Sequence, residues 1–219
     1  MEIKGAIFDL DGTLLDSTWV WHQIDVDFLG SRGFEVPPDY VEIITPMEFK
    51  EVARYTIERF HLPEEPEDIM AEWNQMAKES YANRIQIKPG TKELLESLKE
   101  QGVTMGVATS NISDLFVPCL KRNGIYDYFD AFTECSEVGK SKKFPDIYIK
   151  AAEKMNCRPE DCVVFEDIIE ALQTAKNSGF TTVCARDKAW QYDEHALEEA
   201  ADFQLHQISD ALSLLNQWK

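Results

Sequence analysis

Positive charge is scarce in this 219-residue sequence: 22 lysines and arginines stand against 40 aspartates and glutamates, a formal net charge of -18. Such a surface repels a phosphate backbone, and no local basic patch offsets it, so no nucleic acid is expected as a partner. No apolar run approaches the ~20 residues that a membrane-spanning helix needs, so no membrane partner is expected either. The opening MEIKGAIFDLDG has too short an apolar run for a secretion signal and reaches aspartates at once. Cysteine is sparse and badly spaced for ligation: Cys119, Cys135, Cys157, Cys162 and Cys184 are odd in number, with no pair at CxxC spacing. That argues against a zinc cage or a disulfide framework and for reduced thiols in a cytoplasmic protein. Internal repeats and low-complexity tracts are also absent. The remaining composition, 44% hydrophobic and 28% charged, is ordinary for a globular chain with a sizeable core.

Short apolar runs alternate with helical patterns. Ile3 to Asp9 reads as a buried strand ended by Asp-Gly turn chemistry, and Val103 to Thr109, Cys162 to Glu166 and Thr181 to Cys184 repeat the pattern. Ala131-Phe132 and Phe203 to Leu205 are shorter versions. Between them, Thr91 to Gln101, Pro145 to Met155 and Glu170 to Asn177 carry apolar residues at helical spacing. This alternation predicts an α/β fold, a Rossmann-like parallel sheet with helices on both faces. Residues 17–84 break the rhythm with helical stripes such as Val52, Tyr55, Thr56 and Phe60, then Ile69, Trp73, Met76 and Ala77. They predict a small all-helical insert after the first strand, leaving 1–16 and 85–219 as the α/β core.

Four features fall just past the ends of predicted strands, where open parallel sheets bind ligands. The first is Asp9-Leu10-Asp11-Gly12-Thr13. Its two carboxylates, two residues apart, leave the strand on one side; one can act as a nucleophile and the other as acid and base. The second is Thr109-Ser110-Asn111, a hydroxyl and amides able to hold an anion, or a helix N-cap by Ser110 or Asn111. The third is the cluster Lys140, Lys142 and Lys143 before Pro145-Asp146, from which one lysine can neutralise a transferring phosphoryl group. The fourth is Glu166-Asp167 after Val163-Val164-Phe165, costly to bury unless paired with Lys142 or bound to a metal.

Together these features resemble the haloacid dehalogenase superfamily of phosphotransferases, in the branch of β-phosphoglucomutase and its related phosphatases. The likeness rests on DLDGTLLDS at Asp9 to Ser17, VATSN at Val107 to Asn111 and FEDIIEALQTAKNSG from Phe165, and it spans nearly the whole chain. It implies Asp9 as nucleophile and Asp11 as general acid and base. Thr109, with Ser110, Asn111 and Lys142, would bind phosphate. It also implies Mg²⁺ held by Asp9, the Asp11 main-chain carbonyl and Asp167, with Glu166 beside it, and residues 17–84 as a helical cap that reads the substrate. The sequence departs from the family pattern at Lys143, where proline is usual, and at Ile168 and Ala171, where serine and glycine are common.

The resulting expectation is a phosphatase for a small phosphorylated metabolite, such as a sugar phosphate, acting as a monomer or weak dimer. A sugar-phosphate mutase is the alternative within the same chemistry. Two non-enzymatic readings also stand: a phospho-acceptor switch of the receiver kind, and a degenerate fold that only binds a partner. Against the first, the receiver's phosphorylated aspartate lies on a later strand than Asp9 does. His22, Lys50 and Arg54 are weaker candidates for substrate contact, and Trp19, Trp21 and Trp73 for a pocket wall or the core of the insert.

Overall fold

The computed structural model describes residues 3–44, 47 and 49–215. Its strands follow in chain order as β1 (Gly5–Phe8), β2 (Leu15–Asp16), β3 (Gln86–Ile87), β4 (Thr104–Thr109), β5 (Ala131–Glu134), β6 (Cys162–Glu166), β7 (Thr181–Ala185) and β8 (Phe203–Leu205). The helices are α1 (Val20–Ser31), α2 (Tyr40–Ile44), α3 (Phe49–Phe60), α4 (Pro66–Asn83), α5 (Thr91–Glu100), α6 (Ser113–Arg122), α7 (Cys135–Val138), α8 (Asp146–Lys154), α9 (Ile169–Asn177), α10 (Glu194–Ala200) and α11 (Ala211–Leu215). The chain divides into two compact units, Met1–Thr18 with Ile85–Lys219, and Trp19–Arg84.

The first unit is built on a six-stranded sheet in the order β5-β4-β1-β6-β7-β8. Every neighbouring pair is parallel. Central strands buried on both sides need apolar residues at every position, and β1, whose GAIF is wholly buried, shows this. Side chains alternate across it. Ile7 joins Ala108, Val164, Ile147, Tyr148, Ala151 and Met155 in one core, where α8 covers the sheet. Phe8 faces the opposite way and stacks on Phe165, its register partner, with ring centroids 4.6 Å apart. The predicted parallel α/β architecture is therefore present, and β1 lies at its centre.

That position matters for function. After β1 the chain builds outward through β4 and β5, then returns to β6 on the other flank of β1. Strand order reverses there, and such reversals open a crevice at the carboxyl ends of the strands. Asp9, Thr109 and Glu166 stand at the ends of β1, β4 and β6.

A small second sheet was not legible in the sequence: β2 and β3 pair antiparallel, Leu15 with Ile87 and Asp16 with Gln86. Two-residue strands carry too little periodicity to be read from sequence.

The second unit contains α1 to α4. Trp73 is its core rather than a pocket wall: it is 3% exposed and meets Phe28 at 5.3 Å and Phe49 at 5.7 Å. The buried Tyr40 hydroxyl lies 2.7 Å from Thr56 Oγ1. Arg32 stacks over the Phe28 ring and reaches Glu64 and Glu72. Trp21 and His22 are exposed, Arg54 is exposed, and Lys50 pairs with Glu67 at 2.6 Å.

Candidate active site

Asp9 is the first residue past β1, and its amide donates to the Phe165 carbonyl at 3.0 Å, which pins it beside β6. Its side chain is buried. Lys142 Nζ donates to Oδ1, while Oδ2, buried as well, has no hydrogen-bond partner among the described residues. Lys142 also donates to Glu166 Oε1 at 2.5 Å, and Glu166 takes a further bond from the Tyr148 hydroxyl at 2.9 Å. Glu166 Oε2 accepts the Asp167 amide at 3.2 Å.

Asp9, Glu166 and Asp167 each offer a carboxylate oxygen, and these lie within 4.8 Å of one another. One ammonium thus faces three buried carboxyls. Burial pushes the Asp9 carboxyl well above its ordinary range; Lys142 opposes this, and Glu166, Asp167 and Asp11 add to it. Burial together with Glu166 pushes Asp167 up to about 7, against the pull of Trp190, Lys142 and Lys88. Burial would lower the Lys142 ammonium, but Asp9 and Glu166 outweigh it and hold it above its usual value. A group of hard oxygen donors with surplus negative charge fits a divalent cation of the magnesium type. The bare Asp9 Oδ2 leaves that carboxylate an oxygen open to an external partner.

Asp11 is held from two sides, by the Ser17 hydroxyl on Oδ1 at 2.7 Å and by Asn111 Nδ2 on Oδ2 at 2.9 Å. Between the aspartates and Thr13, Gly12 adopts φ 88°, and a Cβ there would stand 2.2 Å from Asp167 Oδ2. Only glycine permits both the turn and this approach. Lys88 Nζ donates to the Gly12 carbonyl and pairs with Asp187 Oδ2 at 2.7 Å. Lys88 and Asp187 also border a cavity of about 260 Å³ with Asp16, Arg186 and His206.

Hydrogen bonds join Asp9, Lys142, Glu166 and Asp167 in one group and Asp11 with Asn111 in another, and the Asp11 charge is felt at Asp9. Lys140 lies outside both, exposed and paired with Asp146 at 2.8 Å. Thr109 is buried, with Oγ1 accepting the Asn111 amide at 3.0 Å. Ser110 presents its hydroxyl to Cys135 Sγ at 3.5 Å instead. Neither Ser110 nor Asn111 caps α6: the N-cap is the extended Ile112, without a side-chain cap, and Asn111 Oδ1 accepts the Ile112 amide. Asn111 gives its Nδ2 to Asp11 and its Oδ1 to the Ile112 amide, outside the helix.

Sequence reading missed the loop after β7. Trp190 Nε1 donates to Asp167 Oδ2 at 2.5 Å, and the Tyr192 hydroxyl donates to the Asp167 carbonyl at 3.0 Å. No motif announces these residues. The cue present was a tryptophan and a tyrosine in a charged, apolar-poor segment after a strand.

A profile of haloacid dehalogenase-like hydrolases matches residues 6–185. The phosphorylated carbohydrates phosphatase of Thermotoga maritima is 25% identical over 215 residues, spanning 98% of this chain and 99% of its own. Hexitol phosphatase B of Escherichia coli is 27% identical over 183 residues, 80% of each chain. Among solved structures, a provisionally assigned beta-phosphoglucomutase of Thermotoga maritima superposes with a TM-score of 0.87 at 24% identity, covering 99% of both chains. At that identity the likeness establishes the fold.

Proposed function

Because the chain belongs to the haloacid dehalogenase-like hydrolases, we propose that it is a magnesium-dependent phosphatase of small phosphate monoesters, working through a phosphoaspartate on Asp9. The observation that carries this reading is the state of Asp9: a buried carboxylate fixed by Lys142 through one oxygen, with the other bare. The names of relatives that act on phosphorylated carbohydrates and hexitol phosphates support a sugar-phosphate substrate.

In this mechanism Asp9 Oδ2, the oxygen Lys142 does not hold, attacks phosphorus. The ester P–O bond breaks, and Asp11 gives its proton to the departing oxygen. Asp11, then ionised, takes a proton from water, the water oxygen attacks the phosphoaspartate, and phosphate leaves with Asp9 restored. The hydrogen bonds from Ser17 and Asn111 hold Asp11 in place for both transfers. Lys142 balances charge on the moving phosphoryl group, oriented by Glu166 and Tyr148. Thr109 and the amides that follow β4 bind the non-reacting oxygens. Asp9, Asp167 and the Asp11 carbonyl would hold Mg²⁺, with Glu166 behind them. When bound, the ion supplies positive charge to phosphoryl oxygens and relieves the carboxylate excess. The helical unit, residues 19–84, acts in this reading as the cap that selects the substrate.

The test is phosphate release from a panel of monoesters with Mg²⁺, with EDTA, and with Asp9→Asn. Magnesium-dependent release that disappears in the variant is expected. Failure with every ester sinks the reading, and conversion of a hexose 1-phosphate to its isomer would replace it with a mutase.

A further inference from the structure

We propose that Trp190 is a positioning residue for metal binding: its indole N–H holds the Asp167 carboxylate in the orientation from which that carboxylate ligates a divalent cation. The inference rests on the reading above, in which Asp167 is a ligand. It goes beyond it by giving a role to a residue outside the four motif segments.

The Asp167 carboxylate has two described side-chain contacts. Thr13 Oγ1 reaches Oδ1 at 3.4 Å, too long to fix a carboxylate, whereas Trp190 Nε1 reaches Oδ2 at 2.5 Å. Oδ2 is also wedged against the backbone of Gly12, where a Cβ would come within 2.2 Å. Indole on one side and glycine backbone on the other set the plane of the carboxylate.

The indole is itself held. The Trp190 amide donates to the Asp187 carbonyl at 3.2 Å, and the Ala189 amide to Asp187 Oδ1 at 2.8 Å, closing a tight turn. Tyr192 ties that turn to β6: its hydroxyl accepts the Asp187 amide at 2.9 Å and donates to the Asp167 carbonyl at 3.0 Å. Asp187 is anchored in turn by Lys88 at 2.7 Å and Thr18 at 3.1 Å. Trp190 is 44% exposed, so its directed bond contributes to its placement beside partial packing. Outer partners that orient a ligating side chain typically change metal affinity ~10–100-fold when removed.

The experiment is calorimetric titration of Mn²⁺ and of Mg²⁺, without substrate, into the full-length protein and its Trp190→Phe, Trp190→Leu and Asp167→Asn variants. The Trp190 variants should bind each metal at least about tenfold more weakly. The metal concentration that gives half-maximal turnover should rise by the same factor. Equal or tighter metal binding by a folded Trp190 variant overturns the proposal, since the indole would then be idle or a competitor for Oδ2. Metal binding by wild type that persists unchanged in Asp167→Asn overturns it too. A wild-type protein that takes up neither metal removes the reading beneath it as well. Half-exposure of the ring makes folding of at least one variant the expected result, checked by its thermal transition.

Discussion

Replacing Asp9 with asparagine is expected to abolish turnover and, in the absence of metal, to make the protein more stable. Carboxylate oxygens of Asp9, Glu166 and Asp167 lie within 4.8 Å of one another, with one lysine among them. Two unit charges at that distance repel by about 3.5 kcal/mol at an effective dielectric of ~20. Asp9 faces two such neighbours and one cation of opposite effect, which leaves roughly one repulsion uncompensated. Taking up a proton relieves it but costs about 1.4 kcal/mol for each unit by which the pH exceeds the ordinary carboxyl pKa. Asparagine removes the repulsion and gives up the charged bond from Lys142, worth about 1.5–3 kcal/mol, although Lys142 keeps Glu166. The net gain is about 1 kcal/mol. Urea unfolding at pH 7.5 in EDTA, fitted with a common m-value, measures it. With Mg²⁺ the difference should shrink or reverse, because the ion favours the aspartate. An Asp9→Asn protein less stable than wild type in EDTA by more than about 1 kcal/mol would refute the charge argument. Retained turnover would refute the nucleophile.

Other outcomes follow from the same cluster. Asp167, pushed up to about 7 from an ordinary 3.8, holds its proton more tightly folded than unfolded. Its contribution to stability is therefore present at acid pH and lost as pH rises through that window, by up to roughly 4 kcal/mol. Thermal scans from pH 4 to 8 in EDTA should show that decline, and Asp167→Asn should lessen it, Asp9 supplying the remainder. Lys142→Met leaves three carboxyls without their cation; in EDTA a loss of about 3–5 kcal/mol is expected in denaturant titration, partly restored by Mg²⁺. Asn111→Ala removes one donor from Asp11 and should lower kcat by about 10–100-fold, the rate equivalent of ~1.5–3 kcal/mol, with KM little changed.

The sheet was legible where burial is two-sided. Runs such as Gly5–Phe8 and Cys162–Glu166 have no solvent face to obscure them. β2 and β3 were not, since Leu15–Asp16 and Gln86–Ile87 are too short for alternation to register. In α6, Pro118 sits inside the helix and breaks the propensity signal. In the site, the carboxylates of the first and last motifs stand out because their spacing is local. Sequence alone left Lys142 and Lys140 open, since the choice depends on which ammonium reaches Asp9 from 133 positions away. Trp190, Lys88 and Tyr148 were invisible for the same reason: each acts on a residue from a different strand end, and nothing in its own neighbourhood signals that.

The β2–β3 pair has one more consequence. Because Leu15 faces Ile87 and Asp16 faces Gln86, the strands that lead out to the helical unit and back from it are hydrogen-bonded neighbours. Everything between them is topologically the tip of a hairpin. Replacing residues 17–85 with Asn-Gly, a turn that joins antiparallel neighbours directly, should leave a sheet unit that still melts cooperatively with α/β circular dichroism. Loss of that transition would mean the two strands cannot close without the insert. A gene encoding such a chain can lengthen, shorten or exchange its helical cassette in a single recombination event, with the segments that carry Asp9, Lys142 and Asp167 left as they were.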